Sequence, residues 1–273
     1  MFTIDNYVVA KDLEEAYQLN QKRNNVIIGG GMWLGLGRRN ITTAIELSGL
    51  GLDRIEERED SFQIGCMTTL RELECNVALN SYFKGVFRKA AKPIVGVQFR
   101  NCATIGGSIY GRYGFSDILT CLLALHTEVV LYRGGTVPLS DFVDMPRDKD
   151  VLIKLVIKKD IREVAYLTQR RTATDLPVLT CAVARTKREW QVVIGAKPSR
   201  AKLIRKDASI LGTFPSENGL NDFCAEMVQR MDFSTNMRGS EEYRRHLAGV
   251  LIRRGIKEIM EGGDKEDENK VVD

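Results

Sequence analysis

The sequence holds no apolar run near the length of about 20 residues that a bilayer-spanning helix needs. Its N-terminus, Met-Phe-Thr-Ile-Asp-Asn-Tyr, has neither the basic head nor the apolar core of a secretory leader. Membrane insertion and export are not expected, and the cytoplasm is the expected location. Histidine is nearly absent, with 2 in 273 residues. His126 and His246 stand far apart and neither has a partner motif nearby, so both are expected to be structural. The six cysteines, at 66, 75, 102, 121, 181 and 224, include no Cys-x-x-Cys pair and no histidine at zinc-ligand spacing. That pattern fits reduced thiols, mostly interior, and argues against a structural metal or an iron–sulfur cluster within this chain. Charge of one sign is also scarce, because the net charge is only +4. The basic pairs Lys158-Lys159, Arg170-Arg171, Lys187-Arg188 and Arg253-Arg254 are short and interrupted. They read as solvated surface rather than a nucleic-acid face.

What is present suits a globular chain large enough for two domains, with 44% hydrophobic and 28% charged residues. Residues 1–25 read as a short strand and a helix that Asp12 is placed to cap. Val26-Ile27-Ile28 is a buried strand running into Gly29-Gly30-Gly31, a setting in which backbone amides meet phosphate. Gly29 and Gly31 begin a dinucleotide fingerprint, but Leu34 stands at its last glycine. Gly30 and Gly35 have Walker spacing, but Leu36 stands where lysine is needed. Neither nucleotide motif is met, and an ordinary tight turn remains the plain alternative for the three glycines.

Strands are expected at 41–47, 55–57 and 61–65, and helices at 69–73 and 82–91, the second ended by Pro93. A second glycine loop follows at Thr104-Ile105-Gly106-Gly107-Ser108, whose successive amides are able to form an anion-binding nest. Asp117 comes next, where a carboxylate would accept from a sugar hydroxyl. A buried helix over 118–125 and a hairpin, 128–132 and 136–139 around Arg133-Gly134-Gly135, complete the first half. The second half reads as strands at 151–157, 163–167, 178–184 and 190–195, forming an antiparallel sheet. Helical patterns follow at 201–211, 220–231 and 240–260, giving an α+β layer arrangement. The segment from Glu261 is charged and glycine-rich and is expected to be frayed.

The order of these motifs resembles the FAD-binding, or medium, subunit of the molybdenum hydroxylases, the family of xanthine, carbon monoxide and nicotinate dehydrogenase types. The family carries a strand leading into Ala-Gly-Gly-Thr-Asp/Ser-Leu, and here Ile27-Ile28-Gly29-Gly30-Gly31-Met32-Trp33-Leu34 stands in that place. Its Ile-Arg-Asn-x-Ala-Thr-Ile-Gly-Gly-Asn-Ile is matched by Phe99-Arg100-Asn101-Cys102-Ala103-Thr104-Ile105-Gly106-Gly107-Ser108-Ile109, followed by Ser116-Asp117 and Leu122-Leu123-Ala124-Leu125. Arg170-Arg171 with Asp175-Leu176-Pro177, Gly195-Ala196 before Pro198-Ser199-Arg200-Ala201, and Arg238-Gly239-Ser240 with Tyr243-Arg244 continue the likeness. It covers residues 1–260 in order, and the departures are Met32-Trp33 for Thr-Asp/Ser and Ser108 for Asn.

The resemblance implies a two-subdomain PCMH-type FAD-binding domain at 1–155, divided near residue 52, followed by a C-terminal antiparallel sheet packed with helices at 156–260. It implies non-covalent FAD held by Ile28, Gly29, Gly30, Gly31, Met32, Trp33 and Leu34 from the first loop. From the second region come Asn101, Ala103, Thr104, Ile105, Gly106, Gly107, Ser108, Tyr110, Ser116 and Asp117. Tyr110 and Tyr113 are candidates to stack on the flavin, with ordinary packing as the alternative. No catalytic acid, base or nucleophile is required of this chain, because the flavin carries the electron chemistry. The implied assembly is a xanthine dehydrogenase-like oxidoreductase, active only with its partners. A large subunit would hold the molybdopterin, and a small one the [2Fe–2S] centres. Electrons would pass through FAD to NAD+ or another acceptor. A scaffold subunit of the same fold that has lost FAD remains the alternative, motivated by Met32 and Trp33.

Overall fold

The computed structural model of the protein describes residues 2–212 and 215–262, so the tail expected to be frayed lies, from residue 263 on, outside the described residues. The chain opens with β1 (Thr3–Val9), α1 (Leu13–Gln21), β2 (Asn25–Ile28) and β3 (Asn40–Glu46). The strands form a parallel sheet in the order β1-β3-β2. Asp12 does cap α1, its carboxylate accepting from the Glu15 amide at 2.8 Å. The middle strand β3 buries Ile41, Ala44 and Ile45, and β2 delivers the chain directly to Gly29.

The second unit is built on five strands: β4 (Ile55–Glu57), β5 (Ser61–Gly65), β6 (Thr127–Leu131), β7 (Gly135–Pro138) and β8 (Leu152–Lys158). They run antiparallel in the order β4-β5-β8-β6-β7. The strand expected at 151–157 was grouped by sequence with the second-half sheet. It is β8, and it lies between β5 and β6 at the centre of this one. Seven short helices pack around the sheet: α2 (Leu70–Cys75), α3 (Val77–Tyr82), α4 (Val86–Ala91), α5 (Val97–Cys102), α6 (Ile105–Tyr110), α7 (Asp117–Leu123) and α8 (Leu139–Asp144). Thr69 and Glu72 make a capping box at the start of α2. The single helix expected over 82–91 is interrupted, because Lys84 and Gly85 both adopt positive φ, 50° and 75°, which ends α3 and starts α4 afresh.

The last unit comprises β9 (Glu163–Gln169), β10 (Leu179–Arg185), β11 (Glu189–Gly195), β12 (Lys202–Asp207), α9 (Glu217–Gln229) and α10 (Glu241–Gly262). Its sheet is antiparallel in the order β12-β11-β10-β9. The helical pattern expected over 201–211 is instead β12 and one tight turn at 208–210, since pairing from Ile194↔Lys202 to Glu189↔Asp207 outweighs local spacing. Both faces of this sheet are covered, which explains the unbroken apolar run of β10. Leu179, Cys181 and Val183 pack with α9 and α10, whereas Ala182 and Ala184 join the core of the preceding units. Alternation along one strand thus bonds the two halves. Arg244, of the Tyr-Arg signature, is fully buried and donates to the carbonyls of Val178, Ser234 and Gly239 and to Asn236 Oδ1. That signature is therefore a clamp on the chain entering α10.

Candidate cofactor site

The two glycine segments, 29–31 and 104–108, meet backbone to backbone. A Cβ on Gly30 would lie 1.8 Å from the carbonyl oxygen of Cys102 and 2.8 Å from Ala103 Cα. One on Gly29 would lie 2.5 Å from Thr104 Oγ1. Only glycine permits this approach. The end of β2 thereby seats on the α5–α6 junction, and a cavity of about 430 Å3 opens between them. That volume lies in the range of small-molecule and cofactor sites, about 300–1,000 Å3.

Fifteen of the seventeen residues expected at the site line this cavity. Asn101 is exposed outside it, and Ile105 is buried in the core beneath. The loop expected at 104–108 is the N-terminal turn of α6, capped by Thr104. Its amides are already engaged. Ile105 donates to Thr68 O at 2.9 Å, Gly106 to Cys66 O at 2.8 Å, Gly107 to Thr104 Oγ1 at 3.2 Å and Ser108 to Thr104 O at 3.1 Å. The second glycine pair thus supplies close-packed wall rather than an open nest. Among the described residues, the amides of Gly30, Gly31 and Met32 donate to no group of the chain. Unpaired donors on a cavity wall are a place for phosphate oxygens. The first loop lacks polar side chains but retains these donors.

Asp117 forms another part of the wall. It opens α7 just after the cap Ser116, whose hydroxyl accepts from the Leu119 amide at 3.1 Å. The carboxylate is 5% exposed. Its Oδ1 accepts from the Tyr166 hydroxyl at 2.5 Å and from Arg170 Nη2. Burial pushes this carboxyl up, while the Arg170 guanidinium pulls it down. Burial and the neighbouring Asp117 charge push the Tyr166 phenol well above its ordinary value. Asp117 thus ties α7 to β9 as well as facing the cavity. Thr120 and Thr180, whose hydroxyls lie 2.9 Å apart, add a second bond across the same seam.

Tyr110 lines the cavity, but its hydroxyl donates to Asp148 Oδ1 at 2.5 Å and its ring lies against Phe142. Burial, then this hydrogen bond, pushes its phenol up. Tyr113 stands with Phe115 and Trp33 at the cavity. His126 and His246 are exposed and lie outside the cavity lining.

Several lining residues were not assigned to the site from sequence: Phe115, Arg147, Lys149, Arg170, Asp175 and Leu176. The Arg170–Leu176 segment was visible as a motif. Its place at the wall follows from α7 packing on β10 and β11, with Tyr166 of the adjacent β9 bonded to Asp117, which no local pattern shows. The assembled chemistry is free amides at a glycine turn, an apolar surface including Met67, Leu70 and Leu152, and a carboxylate beside a guanidinium. This set fits a diphosphate-bridged, ring-bearing cofactor.

Comparison with known proteins agrees with that chemistry. Residues 2–159 match the model described as the FAD binding domain in molybdopterin dehydrogenase, and residues 164–259 match the CO dehydrogenase flavoprotein C-terminal domain. The uncharacterized protein YgfM of Escherichia coli (strain K12) is 27% identical over 270 residues, covering 96% of this chain and 99% of that one. The glyceraldehyde dehydrogenase medium chain of Sulfolobus acidocaldarius is 22% identical over 277 residues, covering 93% and 98%. A carbon monoxide dehydrogenase structure from Hydrogenophaga pseudoflava, lacking the Mo-pyranopterin moiety of its molybdenum cofactor, superposes with a TM-score of 0.82. It is 21% identical, over 93% of this chain and 96% of that one.

Proposed function

The chain belongs to the family of FAD-binding domains of molybdopterin dehydrogenases, and from that premise we propose that it is the electron-transfer flavoprotein subunit of a multi-subunit molybdenum hydroxylase. Its partners in this reading are a large molybdenum-cofactor subunit and a small [2Fe–2S] subunit. The acceptor is NAD+ or another oxidant. FAD, when bound, supplies a redox centre able to exchange electrons one or two at a time. This chain's own residues do the holding. Gly30, Gly31 and Met32 offer amides to the diphosphate, and the α5–α6 junction fixes where that turn sits. Apolar side chains exclude water from the ring. Asp117, oriented by Arg170 and Tyr166, presents a carboxylate edge toward a sugar hydroxyl.

The observation that carries the reading is the meeting of two glycine segments around a cavity with unpaired amides on one wall. A scaffold role without FAD is favoured only by Met32 and Trp33, whose side chains offer no phosphate ligand. The two readings separate on the absorption spectrum of the purified chain after incubation with FAD and desalting. A retained flavin spectrum supports the redox subunit. A colourless chain that still assembles with the two partner subunits supports the scaffold.

A further inference from the structure

The polar residues of the family's first-loop pattern are replaced here by Met32 and Trp33. Trp33 is 39% exposed although it lines the cavity. Its ring centroid lies 4.9 Å from that of Phe115 and 5.9 Å from that of Tyr113. Tyr113 and Phe115 are themselves stacked, 5.2 Å apart with 14° between their planes. All three rings line the cavity, and they come from two segments, the first glycine turn and the stretch between α6 and α7. The arrangement is seated by the backbone. A Cβ on Gly111 would lie 2.4 Å from Tyr113 Cε2, so the ring folds back over a glycine. The neighbouring Gly114 is packed equally closely against the Ser199 carbonyl.

From this we infer that Trp33, Tyr113 and Phe115 form an aromatic platform on which a flat heteroaromatic ring of the bound cofactor stacks, with Trp33 as the contacting residue. The inference rests on the FAD reading above and deepens it, assigning to stacking the role that polar side chains of the first loop would otherwise fill. A tryptophan face is well suited to such a ring, and each stacked contact contributes enough to govern affinity. FAD offers two rings of this chemistry, the isoalloxazine and the adenine.

The chain has two tryptophans, which makes the test direct. Trp190 is fully buried in the C-terminal core against Phe223 and stands outside the lining of this cavity. Titrating the purified full chain with FAD should show static quenching of tryptophan emission in wild type, beyond the energy transfer from Trp190 that remains in Trp33→Phe. Trp33→Ala should weaken FAD binding roughly tenfold, with Trp33→Phe retaining most of the affinity. FMN and ADP serve as separate probes. Quenching by FMN alone assigns the platform to the isoalloxazine, and quenching by ADP alone assigns it to the adenine. If FAD binds stoichiometrically and Trp33→Ala binds it as tightly as wild type, the platform is refuted while the FAD reading stands. Failure of the wild-type chain to bind FAD at all overturns both. Circular dichroism of each variant separates loss of binding from loss of fold.

Discussion

Replacing Gly30 by alanine probes the closest approach in the cofactor site. The new methyl would sit 1.8 Å from Cys102 O, 2.4 Å from Cys102 C and 2.8 Å from Ala103 Cα. All three are backbone atoms and none has a rotamer to change. Normal carbon–oxygen contacts begin near 3.3 Å, so the two segments must separate by roughly 1.5 Å. Overpacking of this kind costs about 1–3 kcal/mol of stability. The effect on ligand binding is larger, because the displaced turn carries the amides of Gly30, Gly31 and Met32. A hydrogen bond to a charged group contributes about 1.5–3 kcal/mol, so losing one lowers affinity roughly 10- to 100-fold. Gly35→Ala is the matched control, since nothing lies within 4 Å of its added methyl. FAD affinity by fluorescence titration and melting temperature by circular dichroism read the two effects separately. Wild-type FAD affinity in Gly30→Ala would refute the contact between the loops as the element that shapes the site.

Three further outcomes follow from the same structure. Asp117→Ala leaves the buried Arg170 guanidinium without its ion partner and should cost about 3 kcal/mol of stability, partly recovered in the double variant Asp117→Ala/Arg170→Met, as denaturant midpoints would show. The Lys197 ammonium, aided by Ser199, holds the Asp232 carboxyl down to about 2 from an ordinary 3.8. A depressed carboxylate contributes stability above its ordinary value and loses it as pH falls through the folded one, so acid unfolding of wild type between about pH 4 and pH 2 should contain a component absent in Asp232→Asn. Cys75 and Cys102 are exposed while the other four thiols are buried, and burial pushes Cys66 up to about 12 and Cys224 up to about 11. A thiol reagent at about pH 8 should therefore modify two cysteines of the native protein quickly, and fast labelling of Cys66 would contradict its burial.

Local chemistry made much of the fold legible. Asp12 announced a cap, Val26-Ile27-Ile28 before three glycines announced a strand and a turn, and Arg133-Gly134-Gly135 announced a hairpin. Two of the misreadings share one physical cause, which is pairing at a distance, whereas the helix read over 82–91 is broken locally by positive φ at Lys84 and Gly85. Leu203, Ile204, Ile210 and Leu211 are spaced acceptably for a helix, but β11 offers a complete ladder to residues 202–207. Residues 151–157 read as a strand, yet nothing local reveals that β5 and β6 flank it. The site divides in the same way. Its glycines were evident, but the pairing of the Ile105 and Gly106 amides with Thr68 and Cys66 was not, because those acceptors lie on a separate turn. Arg170 was visible as a motif residue, and its bond to Asp117 exists only because two domains pack along one seam.

The most direct test is cofactor analysis of the full chain, purified after incubation with FAD and then denatured. Equimolar FAD released without covalent attachment is the result expected, together with its loss in Gly30→Ala and its retention in Gly35→Ala. A folded chain that takes up no FAD would contradict the assignment of this cavity to the cofactor.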